Sequence, residues 1–116
     1  MNWNRKLSFF LVALNVICQT GGLFSEESSQ SYSPKKGKSL YKKNCAACHG
    51  KDGQGHTPMA RSIPNLPDLT DLSTKKKSDQ ELFDIITNGS PPMPSFSQLS
   101  EEDRWDLVKY IRALEK

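Results

Sequence analysis

Cys45-Ala46-Ala47-Cys48-His49, two cysteines two residues apart with a histidine directly after, constrains this chain more than any other feature. Two thiols at that spacing can each add to one vinyl group of a haem. The adjacent imidazole then falls under the iron, and C-x-x-C-H is read as a c-type haem attachment. Three other readings compete for the same residues. A thioredoxin-like redox pair needs strands around it in a βαβ setting, and no strand pattern is present. A zinc site needs a fourth ligand; only His56 is nearby, and the neighbours Cys48 and His49 chelate a tetrahedral ion awkwardly. A Cys45–Cys48 disulfide in an exported protein is the plainest alternative. The motif favours haem over all three.

Composition points the same way. Hydrophobic residues make up 35% of 116 residues, a thin core for a single domain of this size. Such domains bury a modest share of their surface, so a staple or cofactor becomes plausible. The formal charge is +3, and removal of a leader carrying Arg5 and Lys6 lowers it to +1. No sustained basic stripe exists to neutralise phosphates, which argues against nucleic acid as a partner. The charges are nonetheless unevenly placed. Lys35, Lys36, Lys38, Lys42, Lys43 and Lys51 crowd the cysteine pair, while Glu101, Glu102, Asp103 and Asp106 gather near the C-terminus. A solvated helix face explains this most simply; a docking surface that steers an acidic partner is the functional alternative.

Arg5-Lys6 is followed by an apolar run from Leu7 to Cys18, broken only by Ser8 and Asn15. That is the pattern of a secretory leader, and it is short of the roughly 20 apolar residues of a membrane-spanning helix. No A-x-A triplet marks cleavage, although Thr20 and Gly22 offer a small-residue pair. Cys18 is a candidate lipidation site, but the bulky Val16-Ile17 stand where lipoprotein leaders prefer small residues. Residues 1–22 are read as a signal peptide or lipoprotein leader, 23–33 as a flexible Ser-rich linker and 34–116 as the folded domain. The domain is expected to be exported to the periplasm. It is membrane-tethered only if Cys18 is lipidated or the leader stays uncleaved.

Ser33-Pro34 predicts a helix start, serine at the N-cap and proline at the first helical position, with the helix running up to the cysteines. Residues 50–77, broken by Gly53, Gly55, Pro58, Pro64 and Pro67, read as loop with at most short turns. Ser78 and Glu81 form a capping-box pattern for a second helix that buries Leu82, Phe83, Ile85 and Ile86 and ends at Gly89. Pro91, Pro92 and Pro94 stiffen the next stretch. A last helix opens at Ser100, with acids in its first turn and Arg112 and Lys116 near its end. Leu107, Val108, Ile111 and Leu114 recur along it at helical spacing. The fold class is all-α.

Taken in order, GKSLYKKNCAACHGKDGQG, IPNLPDLTD, ITNGSPPMPSF and LSEEDRWDLVKYIRAL resemble the bacterial class I (mono-haem) cytochrome c family from Gly37 onward. The resemblance implies a small helical domain wrapped around one haem c, covalent through Cys45 and Cys48. It implies His49 and Met93 as the two axial ligands of the iron. The residues agree, since a thioether on a proline-stiffened loop can hold its sulfur at iron and raise the potential. Without haem, Met93 would be an exposed apolar residue between prolines. Met59 is the competing sulfur and His56 the competing nitrogen; packing and a surface imidazole are the simpler readings. By resemblance, the Pro64 carbonyl accepts the Nδ1–H of His49, with Pro67 as the alternative. Asn65 and Leu66 look like pocket wall. Gly37 and Tyr41 are expected to cross the last helix at Leu107 and Tyr110, and Trp105 to pack on that helix.

The expected function is one-electron transfer in a respiratory or other extracytoplasmic redox chain. With six ligands in place there is no open coordination site, and no acid/base pair or nucleophile arrangement is visible, so the chain is not read as an enzyme. A monomer that docks redox proteins transiently is expected. The alternatives are a haem-containing subunit of a larger membrane oxidoreductase, or a ligand sensor if Met93 is not bound.

Overall fold

The computed structural model describes residues 31–116 and Gly22. The rest of the expected leader, and residues 23–30 of the expected linker, lie outside the described residues.

Ser33 is extended, and its side chain accepts the Lys36 N–H, so helix α1 (Pro34–Asn44) begins with a capped first turn and proline at its start. A single turn, α2 (Ala46–His49), follows directly and carries the C-x-x-C-H motif. Residues 50–71 are irregular apart from a 3₁₀ turn at Ala60–Ser62, and α3 (Leu72–Lys75) is again one turn. Ser78 and Glu81 close a complete capping box on α4 (Asp79–Asn88). Ser100 caps α5 (Glu101–Ala113) by accepting the Asp103 N–H at 3.1 Å.

No strand forms among the described residues; extended pairing is limited to an isolated bridge between Ser90 and Met93. The fold is all-α, as expected. Lys116 is not part of the last helix. The helix ends at Ala113, Leu114 turns extended and inward to 8% exposure, and Lys116 pairs with Asp71 instead.

α1 and α5 cross at the centre of the molecule. A Cβ on Gly37 would lie 2.6 Å from the Asp106 carbonyl oxygen and 3.1 Å from the Tyr110 Cβ, so glycine is what lets the two backbones touch. The crossing therefore falls at Asp106 and Tyr110, one residue before the expected Leu107. The Asp106 side chain turns inward to accept the Ser33 N–H at 3.2 Å, which ties the start of α1 to the middle of α5. Tyr41 is buried against Tyr110 with ring centroids 5.0 Å apart. Leu107, Val108, Ile111, Leu82, Ile86 and Phe96 complete the core. Trp105 packs as expected, stacked on Phe83 at 4.4 Å.

Candidate functional site

The core stops short of filling the space between α2, α4 and α5. A largely apolar cleft opens there, lined by Cys45, His49, Pro67, Leu82, Ile86 and Met93 among others. The space between its walls, counted out to its open mouth, is about 580 Å³.

Each functional side chain is brought to this cleft by local backbone chemistry. The Cys45 N–H donates to the Tyr41 carbonyl at 2.8 Å, so the motif continues directly from α1. Tyr41 in turn donates its hydroxyl to the Gly50 carbonyl at 2.7 Å and holds the far end of α2. His49 is thus fixed at the floor of the cleft with 7% exposure. Burial lowers its pKa below the ordinary histidine value. The Pro67 carbonyl opposes that shift without reaching full hydrogen-bond geometry, and Nδ1 is buried without a partner. Burial, reinforced by the neighbouring Cys48, pushes the Cys45 thiol up to about 12. No disulfide joins Cys45 and Cys48.

Met93 lines the same cleft from the loop after α4. Its loop is a tight turn in which Ser90 N–H donates to the Met93 carbonyl at 3.0 Å and Met93 N–H to the Ser90 carbonyl at 2.8 Å. Gly89 makes this turn possible. Its φ is +75°, and an added Cβ would lie 2.8 Å from backbone atoms of Met93, Pro94 and Ser95. The Phe96 N–H then returns to the Ile86 carbonyl at 2.9 Å, pinning the loop to α4.

The expected residues sort unequally. Cys45, His49 and Met93 line the one cleft. Cys48 is not among the lining residues; its Sγ lies 3.3 Å from the Sδ of Met59, which is 54% exposed. His56 is exposed and does not line the cleft. Pro64 and Asn65 are exposed, and Leu66 packs toward Gly55. The wall expected there is formed instead by Pro67 and Leu69. Asn65 takes a left-handed turn (φ +56°), and the Leu69 N–H is pinned to the Gly53 carbonyl at 2.8 Å, which brings the later residues inward. Leu69 was not legible as wall; the only local signal is Asp68, whose carboxylate accepts from Thr70 and folds a tight turn around it.

These residues fit a haem attached through both cysteines. A buried imidazole, a thioether in the same cleft, two thiols with no disulfide between them and apolar walls are the donors and surroundings that such a group requires.

Comparison with known proteins gives the same class. Residues 33–111 match the family described as cytochrome c oxidase, cbb3-type, subunit III. Cytochrome c6 from Synechocystis sp. is 30% identical over 105 residues, covering 89% of this chain and 84% of that protein. The cbb3-type cytochrome c oxidase subunit CcoP of Azospirillum brasilense is 32% identical over 92 residues, which span 78% of this chain but 31% of that subunit. Among solved structures, the c-type cytochrome KustC0563 superposes with a TM-score of 0.60 at 29% identity, over 69% of this chain and 98% of the other. The chain belongs to the cytochrome c family. It is a haem protein of the electron-carrier type, with one covalent haem c.

Proposed function

We propose that this chain is an exported one-electron carrier with His49 and Met93 as axial ligands of its haem. The observation that carries this reading is that both side chains line one cleft together with Cys45. The haem, when bound, supplies a reversible Fe(III)/Fe(II) couple.

The chain's own residues do the rest. Pro67 orients His49 from behind and raises its basicity. Leu82, Ile86 and Ile111 exclude water from the cleft. With His49 and Met93 both engaged, no coordination position is left for oxygen or peroxide, so the chain carries electrons and is not an enzyme. Cys48 and Met59 lie together outside the lining of the cleft, and the exposed Lys42, Lys43 and Lys51 surround the motif in sequence. Transient docking of redox partners at this edge by a monomer follows from that placement. The leader pattern at Arg5–Cys18 supports export to the periplasm.

The test is an optical spectrum before and after acid–acetone extraction. Haem retained on the protein, with the weak methionine–iron band in the oxidised form, is expected. Met93→Ala should abolish that band, lower the potential and open the iron to carbon monoxide or azide. Met59→Leu should leave the band unchanged; loss of the band in Met59→Leu rather than Met93→Ala would move the sixth ligand to Met59.

A second reading, a haem subunit fixed in a membrane oxidoreductase, is favoured by the name of the CcoP relative. It requires a tether, at a lipidated Cys18 or through an uncleaved leader; Cys18→Ser should release the protein from membranes in the first case, and a wild-type protein already free of membranes rules out both.

A further inference from the structure

Lys77 is the one charged side chain lining the cleft among the described residues. It stands beside Thr74, which is 4% exposed and commits its hydroxyl to the Asp68 carbonyl at 3.1 Å. Its ammonium forms no ion pair among the described residues. The charge is felt only weakly by Glu81, which is held below the usual carboxylate range mainly by hydrogen bonds from Ser78.

The backbone that carries Lys77 is held more firmly than a lysine-rich surface turn requires. The Arg112 guanidinium donates to the carbonyls of Thr74, Lys75 and Lys77. Its Nε is fixed at 2.7 Å by Asp79, which also takes Lys109 at 2.7 Å. Lys75 reciprocates, donating its ammonium to the carbonyls of Ile111, Arg112 and Leu114 at the end of α5. The Thr74–Lys77 segment is therefore bolted to α5, and Lys77, itself exposed, lines a largely apolar cleft.

A haem is amphiphilic. Its vinyl edge is fixed by the cysteines, and its two carboxylates must leave the apolar walls where a charge or donor meets them. We propose that Lys77 binds a haem propionate, neutralising it and orienting the carboxylate edge of the cofactor. The proposal rests on the haem c assignment and is independent of whether Met93 is the sixth ligand.

A cation held near the iron favours the reduced state, so removing it lowers the potential. Lys77→Met should shift the ratio of oxidised to reduced holoprotein at a fixed applied potential by about threefold to tenfold toward the oxidised form. Lys76→Met removes the same charge from an exposed neighbour that does not line the cleft, and should shift it by less than about twofold. Lys77→Arg should restore the parental ratio. In the oxidised protein, the hyperfine-shifted proton resonances of the propionate methylenes should move in Lys77→Met and stay in place in Lys76→Met. Lys77→Gln serves the same comparison if the methionine variant yields no holoprotein. Equal potentials and unmoved propionate resonances in the two lysine positions would overturn the proposal.

Discussion

The α1–α5 crossing and the cleft side of the molecule are built from different interactions. At the crossing, apolar and aromatic surfaces close on each other, with Leu107 and Val108 fully buried and Tyr41 at 1% exposure. Lys36 adds contacts to Glu102 and Asp103 at 3.1 and 2.8 Å. On the cleft side, backbone hydrogen bonds and glycine turns hold the Met93 loop and residues 50–71, and the apolar surface of Leu82, Ile86 and Ile111 is left facing a cavity. The polypeptide supplies its own core at the crossing. On the other side it supplies a frame, and the cofactor supplies the filling.

The largest test removes the filling. Cys45→Ala combined with Cys48→Ala should abolish stable holoprotein, with no haem left after acid–acetone extraction. Hydrogen exchange on the residual chain should show α1 and α5 amides outlasting those of the Met93 loop; equal protection would erase the contrast between the two sides. Next in size is Gly37→Ala, where the added methyl meets the Asp106 backbone and should cost about 2–3 kcal/mol in denaturant unfolding of the holoprotein. Gly89→Ala strains the cleft side instead and should cost about 1–2 kcal/mol, with weakening of the methionine–iron band that Gly37→Ala leaves intact.

The smallest effect lies at Asp79. Lys109 first, then Arg112, hold its carboxyl below the ordinary carboxylate range. A depressed folded-state value means that the stability it contributes is present above the unfolded pKa of about 4 and is lost as the pH falls through the folded value. The pair is partly exposed and screened, so Asp79→Asn should cost less than about 1 kcal/mol at pH 7 and should blunt the loss of stability below about pH 4. Acid unfolding curves of the two proteins that stay parallel would show that the Asp79 cluster does not contribute.

What was legible in the sequence follows the same division. Ser33-Pro34, the Ser78–Glu81 box and Ser100 announce α1, α4 and α5 because capping is decided within four residues. The motif at Cys45–His49 is equally local. The cleft wall between residues 60 and 77 was not legible. Its path depends on a left-handed Asn65 and on long-range backbone bonds such as Leu69 to Gly53, so Pro64 and Pro67 could not be told apart by spacing. Asp106 sits among acids that read as a solvated helix face, yet it is 3% exposed because Ser33 reaches back to it. Residues 50–77 read only as loop with short turns, which gave no sign that Lys75 caps α5 or that Lys77 lines the cleft.

The Ser33–Asp106 hydrogen bond spans 73 residues, and Leu114 lies in the same core as Tyr41. The part of that core where α1 meets α5 cannot close until α5 has been made. Until then the first helix lacks its main packing partner, and it is held only by local contacts such as those with the turn that follows it. The meeting of α1 with α5 thus sets an order of events as well as a shape: local turns come first, and the crossing closes last.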